Sequence, residues 1–133
     1  MPWVPSDGPR EDGLPSSARW TSLLSTRANM LVTGAAEALD AFVRAARPAM
    51  REPVRWAADS TALRAEPAPT LILSEVNALD DAGQQWLMQW LNEPHDEHTQ
   101  IISLTSVPLF PLVETKRFDA SLYYRLNTIH LQI

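Results

Sequence analysis

The residues of this sequence that could do chemistry lie mostly beside short apolar runs. Ser74 and Glu75 directly follow the run Thr70–Leu73, which places a hydroxyl and a carboxylate at the end of a predicted buried strand. A serine hydrolase would need Ser74 to pair with a histidine such as His130, but no G-x-S-x-G elbow surrounds the serine. We therefore expect no nucleophilic catalysis, and we interpret Glu75 as a strand-end carboxylate that contacts a nearby loop.

A second group of polar residues, His95, Asp96, Glu97 and His98, offers candidate metal ligands. Adjacent residues on one polar loop do not readily converge on a single ion without further ligands. The sequence contains no cysteine, which excludes thiolate metal sites, disulfide bonds and cysteine nucleophiles. We therefore predict neither a metal site nor a cofactor.

The composition is typical of one compact globular domain. The 133 residues carry 11 Lys+Arg against 16 Asp+Glu, a net charge of -5, and 45% of them are hydrophobic. This acidic balance argues against direct DNA binding, which needs a positive surface. No apolar run approaches the ~20 residues that a membrane helix needs. The first residues also lack the features of a secretory signal, so we expect a cytoplasmic protein with no membrane contact.

Residues 1–15 are rich in proline and charge, lack apolar spacing, and are interpreted as a flexible N-terminal arm. Residues 16–133 are interpreted as one core domain in which helices and strands alternate. Apolar or alternating runs predict strands at 30–33, 53–57, 70–73, 101–105 and 128–133, of which 53–57 is the most marginal. Helical spacing predicts helices from 16 or 17 to about 24, at 35–47, at about 80–93, at 109–115 and at 121–126. The alternation predicts an α/β sandwich with a mostly parallel sheet.

Two aromatic pairs could mark either a binding surface or the core. Trp86 and Trp90 lie one helical turn apart and could form a partner-binding hot spot. Their stripe also carries two leucines, which favours packing against the core. We expect Tyr123 and Tyr124 to be packing residues, one facing the sheet and one near the surface.

The most informative segment of the chain is 118–127, which reads F-D-A-S-L-Y-Y-R-L-N. It resembles the F-R-x-D-L-Y-Y-R-L-N motif of sigma-54-dependent transcriptional activators, which are bacterial AAA+ ATPases. Residues 70–76, T-L-I-L-S-E-V, resemble the G-T-L-F-L-D-E-I Walker B strand of the same family.

Three further blocks follow the order of that family. Residues 29–34 are similar to the V-L-I-T-G entry to its Walker A loop, and 101–106 to the R-I-I-A-A-T-N strand that ends at its sensor I asparagine. The helix that contains Gln84 fits its Q-x-x-L-L-x-x-L pattern. The resemblance covers about residues 20–133 and implies a three-layer, P-loop NTPase-like AAA+ core with a five-stranded, mostly parallel sheet and without the family's lid domain.

The Walker A positions depart from the family pattern G-E-S-G-T-G-K-E. A working phosphate loop needs glycines, a lysine and a Ser/Thr, whereas residues 34–41 read G-A-A-E-A-L-D-A. Gly34 remains, Glu37 and Leu39 stand at interior glycine positions, and Asp40 aligns with the phosphate-binding lysine. At ~4 Å and an effective dielectric constant near 20, a carboxylate beside a phosphate costs about 4 kcal/mol. We therefore predict no tight nucleotide binding at this degenerate loop.

The other nucleotide-related positions of the family are altered as well. Ser74 stands in the place of the Walker B aspartate that organises magnesium, while the Walker B glutamate remains as Glu75. Ser106 aligns with the sensor I asparagine. Of the two family arginines that reach a neighbouring subunit's nucleotide, the first aligns with Asp119 and the second with Arg125. Without nucleotide, we expect Arg125 to pair with a carboxylate at a surface or an interface.

The resemblance implies a pseudo-ATPase core whose function is protein–protein interaction in the regulation of transcription or signalling. Its partner would be a sigma-54 activator or another regulatory component, and a homo-oligomer is possible. Nothing in residues 34–70 resembles the family's sigma-contacting G-A-F-T-G-A loop. The alternative hypotheses are a regulatory module that binds nucleotide without hydrolysing it and a small active ATPase.

Overall fold

Five parallel strands form the sheet of this protein. The computed structural model describes residues 22–57, 68–93 and 99–133. The strand order is β2-β3-β4-β1-β5, and every neighbouring pair is parallel. The strands are β1 (Met30–Thr33), β2 (Val54–Ala57), β3 (Thr70–Leu73), β4 (Gln100–Thr105) and β5 (Ile129–Gln132). The α/β prediction is confirmed, and the sheet is fully parallel where the sequence predicts a mostly parallel one.

Helices cover both faces of the sheet. They are α1 (Ala36–Ala46), α2 (Asp81–Asn92), α3 (Phe110–Glu114) and α4 (Ala120–Leu126), with 3-10 turns at Arg47–Ala49 and Val76–Ala78. A further helical turn covers 22–25, whereas most of the helix predicted from residue 16 or 17 and the boundary of the N-terminal arm lie outside the described residues. No helix in the described part of the chain is long and apolar enough to cross a membrane.

Two hydrophobic cores flank the sheet because successive strand residues point to opposite faces. Met30 and Val32 of β1 face α1, while Leu31 between them faces α2 and α4. The first core includes the apolar stripe of α1, namely Leu39, Phe42, Val43 and Ala46. The second includes Leu87 of α2 and Leu122, Tyr123 and Leu126 of α4. The protein is therefore a three-layer α/β sandwich whose central strand, β4, is buried along its whole length.

Two side-chain amides, the buried Gln84 and the half-buried Asn29, bind backbone groups of the connections at the two ends of the strands. At the carboxyl edge, where the parallel strands end, Gln84 Nε2 donates to the carbonyls of Leu79 and Arg117, both at 2.9 Å, and its Oε1 accepts from the Asp119 N–H at 2.8 Å. At the amino edge, where the strands begin, Asn29 Oδ1 accepts from the Ile101 N–H at 2.9 Å. Each amide satisfies backbone groups that would otherwise be buried without partners.

Ser103 carries a buried polar group that lacks such a partner. Its Oγ is buried in the middle of β4 and has no hydrogen-bond partner among the described residues. In the sheet register it lies between Leu31 of β1 and Leu73 of β3, so its neighbours offer it no polar side chain. A buried hydroxyl without a partner destabilises the folded state.

We expect Ser103→Ala to raise the free energy of unfolding by about 1 kcal/mol, because it removes an unsatisfied hydroxyl. Urea denaturation followed by circular dichroism measures the change. The matched control is Thr105→Val on the same strand, since Thr105 Oγ1 donates to Asn77 Oδ1 at 3.0 Å and accepts from the Val107 N–H at 3.2 Å. This control should lose stability, and an equal loss for Ser103→Ala would contradict the prediction.

Candidate functional site

The candidate site lies at the carboxyl edge of the sheet, between β1 and β4. The chain leaves β1 toward β2 through α1, and it leaves β4 in the opposite direction toward β5 through α3 and α4. Ligands of open parallel sheets bind where neighbouring connections diverge in this way. Gly34, Glu75 and Ser106 each follow the end of a strand, so the fold brings these three predicted positions to one edge.

Backbone hydrogen bonds join the carboxyl ends of β1, β4 and β5. The Gly34 N–H donates to the Thr105 carbonyl at 3.1 Å, and the Ile133 N–H donates to the Thr33 carbonyl at 2.9 Å. A Cβ on Gly34 would lie 2.8 Å from both Ile133 Cγ1 and the Ile133 carbonyl oxygen. The glycine is therefore required by the close approach of Ile133, and its N–H is already engaged within the sheet.

α1 begins almost immediately after β1. Only Gly34 and Ala35 separate the strand from the helix, and Ala35 makes no side-chain capping bond. Positions 36–40, which align with the family's phosphate loop, are therefore helical. Glu37 lies exposed in the first turn and Asp40 exposed in the second. A carboxylate in the first turn stabilises the positive end of the helix dipole, which is the place that a bound phosphate would otherwise occupy.

Glu75 and Ser106 contact each other directly. The Ser106 hydroxyl donates to Glu75 Oε2 at 3.0 Å across the ends of β3 and β4. Glu75 adopts the left-handed backbone conformation, with φ 48° and ψ 53°, at the turn that leaves β3. Ser74 is half-buried, and its N–H donates to the Ala57 carbonyl at 3.0 Å. The arrangement agrees with the interpretation of Glu75 as a strand-end carboxylate that contacts a nearby loop.

Arg125 lies away from this edge and binds the end of a helix. Its guanidinium donates to Asn92 Oδ1 at 2.7 Å and to the Leu91 carbonyl at 3.1 Å. The last carbonyls of a helix lack intrahelical donors and carry the negative end of its dipole, so they attract a cation. Among the described residues, α2 supplies Arg125 with an amide and a carbonyl, where the sequence predicts a carboxylate partner.

Asp119, at the first arginine position of the family, caps α4. Its carboxylate accepts a hydrogen bond from the Leu122 N–H at 2.9 Å, in the manner of an aspartate N-cap. Sequence alignment to the family identifies the missing arginine but not this role. The spacing of Asp119 before the helical run 120–126 is the local signal that could have predicted it.

His130 is separated from Ser74 by the width of the sheet. β4 and β1 lie between the strands that carry the two residues, which places them roughly 14 Å apart at ~4.8 Å per strand. His130 Nε2 instead lies 3.2 Å from Thr33 Oγ1, and burial lowers the pKa of this imidazole below its ordinary value. The two residues form no catalytic pair.

Three of the four residues of the two predicted aromatic pairs belong to or pack against the second core. Trp86 and Trp90 are partly buried and pack against it. Tyr123 is buried and Tyr124 is 65% exposed, as predicted for one inward and one outward tyrosine. Phe110 is 47% exposed, and its ring centroid lies 6.0 Å from that of Tyr123, which lies 5.2 Å from that of Tyr124. These three rings form a continuous aromatic surface, which we call the aromatic strip.

Two further candidates are the polar run at 95–98 and a cleft beside α2. Residues 95–98, considered above as metal ligands, lie outside the described residues, and the described part of the chain contains no group of three or more His, Asp or Glu side chains that could hold a metal ion. A cleft of about 470 Å³ runs along α2, away from Gly34 and Glu75. Seven of its eight lining residues are polar or charged, and Met88 is the one apolar side chain among them.

Comparison with known proteins identifies the family. The family model described as the sigma-54 interaction domain matches residues 25–133. The chain belongs to the sigma-54 interaction domain family. No curated protein sequence matches the chain.

Solved structures share the fold of this sigma-54 interaction domain. NtrX from Brucella abortus in complex with ATP has a TM-score of 0.67 and 15% identity, over 88% of this chain and 34% of its own. The same protein in complex with ADP has a TM-score of 0.68 and 16% identity, over 87% and 34%. The P-loop NTPase domain of a sigma-54 transport activator from E. coli has a TM-score of 0.53 and 20% identity, over 86% and 89%. The chain thus spans about a third of the NtrX chains.

We expect Gly34→Ala to lower the free energy of unfolding by about 1–3 kcal/mol, because the added Cβ would overlap Ile133. Urea denaturation measures the change. Pairing it with Ile133→Ala removes the Cγ1 contact but leaves the carbonyl contact, so the pair should recover part of the loss. Full stability of Gly34→Ala alone would show that the close approach of Ile133 does not require a glycine.

Proposed function

We propose that this sigma-54 interaction domain does not bind or hydrolyse nucleotide and acts through protein–protein interaction in the regulation of transcription or signalling. The observation that carries the first half of the proposal is the direct passage from β1 into α1. A phosphate loop needs several free backbone N–H groups in one concave segment. The Gly34 N–H is bound to Thr105, and the following positions are helical.

The charge around α1 supports the same conclusion. Glu37 and Asp40 are exposed at the start of this helix. A triphosphate placed there would meet two carboxylates, each of which costs about 4 kcal/mol at ~4 Å and an effective dielectric constant near 20. The family's phosphate-binding lysine, which would offset this charge, is replaced by Asp40 at the aligned position.

We expect no heat of binding when magnesium-ATP or magnesium-ADP is titrated into the chain, which corresponds to a dissociation constant weaker than about 1 mM. The variant Glu37→Gln with Asp40→Lys should behave in the same way, because it removes the repulsion without rebuilding a loop. NtrX from Brucella abortus, crystallised with ATP and with ADP, is the positive control for the titration.

Micromolar binding by the wild-type chain would refute the proposal and favour the regulatory nucleotide-binding alternative. Binding by the double variant alone would show that repulsion, and not the missing loop, excludes nucleotide. ATP turnover that Glu75→Gln abolishes would favour the active ATPase.

The aromatic strip supports the second half of the proposal. Phe110 and Tyr124 are 47% and 65% exposed, and the buried ring of Tyr123 packs against both of them. Contiguous exposed apolar surface of this kind marks protein-binding surfaces, where tyrosine is also enriched. Membership of the sigma-54 interaction domain family makes sigma-54 the first partner to test.

We expect purified sigma-54 to bind the chain and Phe110→Ser with Tyr124→Ser to weaken that binding at least tenfold, as loss of aromatic anchors does at interfaces. Biolayer interferometry measures the dissociation constants. The control is Trp56→Ser, which removes an aromatic side chain that is 44% exposed on the edge strand β2. Equal weakening by the control, or no binding by the wild-type chain, would exclude this surface or this partner.

A further inference from the structure

The strand β2 forms one edge of the sheet, and in the described part of the chain only its inner side is paired. On that side the Ser74 N–H donates to the Ala57 carbonyl at 3.0 Å. The backbone groups of successive strand residues point to opposite sides in the plane of the sheet, so those of Val54 and Trp56 point away from β3. An unpaired edge is a template on which a further extended segment can pair.

Trp56 gives this edge an exposed apolar contact surface. Its register partner in β3 is Ile72, which belongs to the first core, and Val54 on the same face packs against that core. Trp56 lies at the margin of this face and remains 44% exposed. The other edge strand, β5, carries no large hydrophobic side chain that is exposed. Because tryptophan is enriched at binding hot spots, the ring distinguishes β2 from β5 as a docking edge.

Cations are concentrated at the amino end of β2. Residues 44–55 contain four arginines and a single glutamate. Arg47 and Arg51 are exposed, and neither side chain has a hydrogen bond or ion pair to a described residue. The hydroxyl of Thr70, the first residue of β3, donates to the Arg51 carbonyl at 2.8 Å, which places Arg51 beside the start of this edge. Burial and the nearby charge of Arg51 lower the pKa of Arg27, so an anionic partner would relieve the repulsion between these groups.

We propose that β2 binds an extended acidic peptide of another protein, which adds a sixth strand to the sheet. The backbone of the peptide pairs with the outward N–H and C=O groups of Val54 and Trp56, and an apolar side chain of the peptide contacts the Trp56 ring. Carboxylates at one end of the peptide pair with the guanidinium groups of Arg47 and Arg51. A nucleic acid is the less favoured occupant, because it has no backbone amides to pair with the strand and the whole chain carries a net charge of -5.

This contact is separate from the one proposed for sigma-54. Trp56 lies on the face of the sheet that carries the first core, whereas the aromatic strip lies beside the second core. Residues 34–40, which align with the phosphate loop of the family, take no part in either contact. Peptide binding at β2, sigma-54 binding and nucleotide binding can therefore each fail without the others.

Fluorescence anisotropy of labelled peptides tests the proposal on the full chain. The probes are D-E-E-V-F-V-T-V and its reverse, V-T-V-F-V-E-E-D, because parallel and antiparallel pairing bring opposite ends of a peptide to Arg51. We expect at least one of them to bind in about 20 mM salt with a dissociation constant below about 100 μM, and to bind more weakly in about 500 mM salt, where the Debye length falls to roughly 4 Å. N-methylation of alternate peptide residues should abolish binding for one alternate set and spare it for the other, since only one set of N–H groups faces β2.

Two variants remove the side-chain contacts separately. Trp56→Ser, and Arg47→Glu with Arg51→Glu, should each weaken peptide binding by about tenfold or more. The matched control is Lys116→Glu with Arg117→Glu, which changes the net charge of the chain as much as the arginine variant does but lies in the turn before α4. This control should bind the peptide as the wild-type chain does, and an equal loss there would attribute the effect to net charge and overturn the proposal. Circular dichroism checks that every variant is folded.

Three results with the peptides would also overturn the proposal: no binding by either probe, equal weakening by both N-methylated sets, or full binding by Trp56→Ser. Sedimentation velocity tests a second copy of the chain as the occupant of the edge. We expect the wild-type chain and Trp56→Ser to sediment alike. A wild-type dimer that Trp56→Ser converts to a monomer would assign the edge to a second copy and overturn the proposal.

Discussion

The structure of the candidate site depends on the backbone hydrogen bonds that join the carboxyl ends of β1, β4 and β5. The Gly34 N–H bonds the Thr105 carbonyl at 3.1 Å, the Ile133 N–H bonds the Thr33 carbonyl at 2.9 Å, and a side chain on Gly34 would overlap Ile133. These bonds extend the ladder past the strand ends, where an open sheet normally receives its ligand. The chain then enters α1 at Ala36, so the space for a loop is removed at the same point. One local arrangement thus combines the tight packing of this edge with the helical backbone of residues 36–40.

Acidic side chains lie at the starts of three of the helices, where the helix dipole is positive. Glu37 supplies a negative charge in the first turn of α1, at the positive end of the helix dipole. Asp80 and Asp119 cap α2 and α4 through bonds of 2.8 Å and 2.9 Å to backbone N–H groups. Glu37, Asp80 and Asp119 therefore stabilise the starts of three helices.

Local patterns in the sequence predicted most of the fold. The buried strands at 30–33 and 70–73 and the helix within 35–47 are visible in short apolar runs and helical spacing, and the structure has them within a residue or two. The carboxyl-edge positions Gly34, Glu75 and Ser106 were also predictable, because each follows a strand. The contact between Gly34 and Ile133 was not, since it joins residues far apart in sequence whose meeting depends on the pairing of β1 with β5. The partner of Arg125 was missed for the same reason, because Asn92 reaches it only once α2 and α4 are packed together.

The altered family positions have structural roles that oppose a simple return to the ATPase pattern. Asp119 stands where the family has an arginine, and its carboxylate caps α4. An arginine there would leave the Leu122 N–H without its side-chain acceptor, a loss of about 1 kcal/mol. Arg125 retains the family's residue but uses its guanidinium to hold the end of α2, so this side chain is engaged within its own chain. A lysine in place of Asp40 would extend from a helix and not from a loop. Substitution at these positions changes the charge without freeing backbone N–H groups, because residues 36–40 belong to α1.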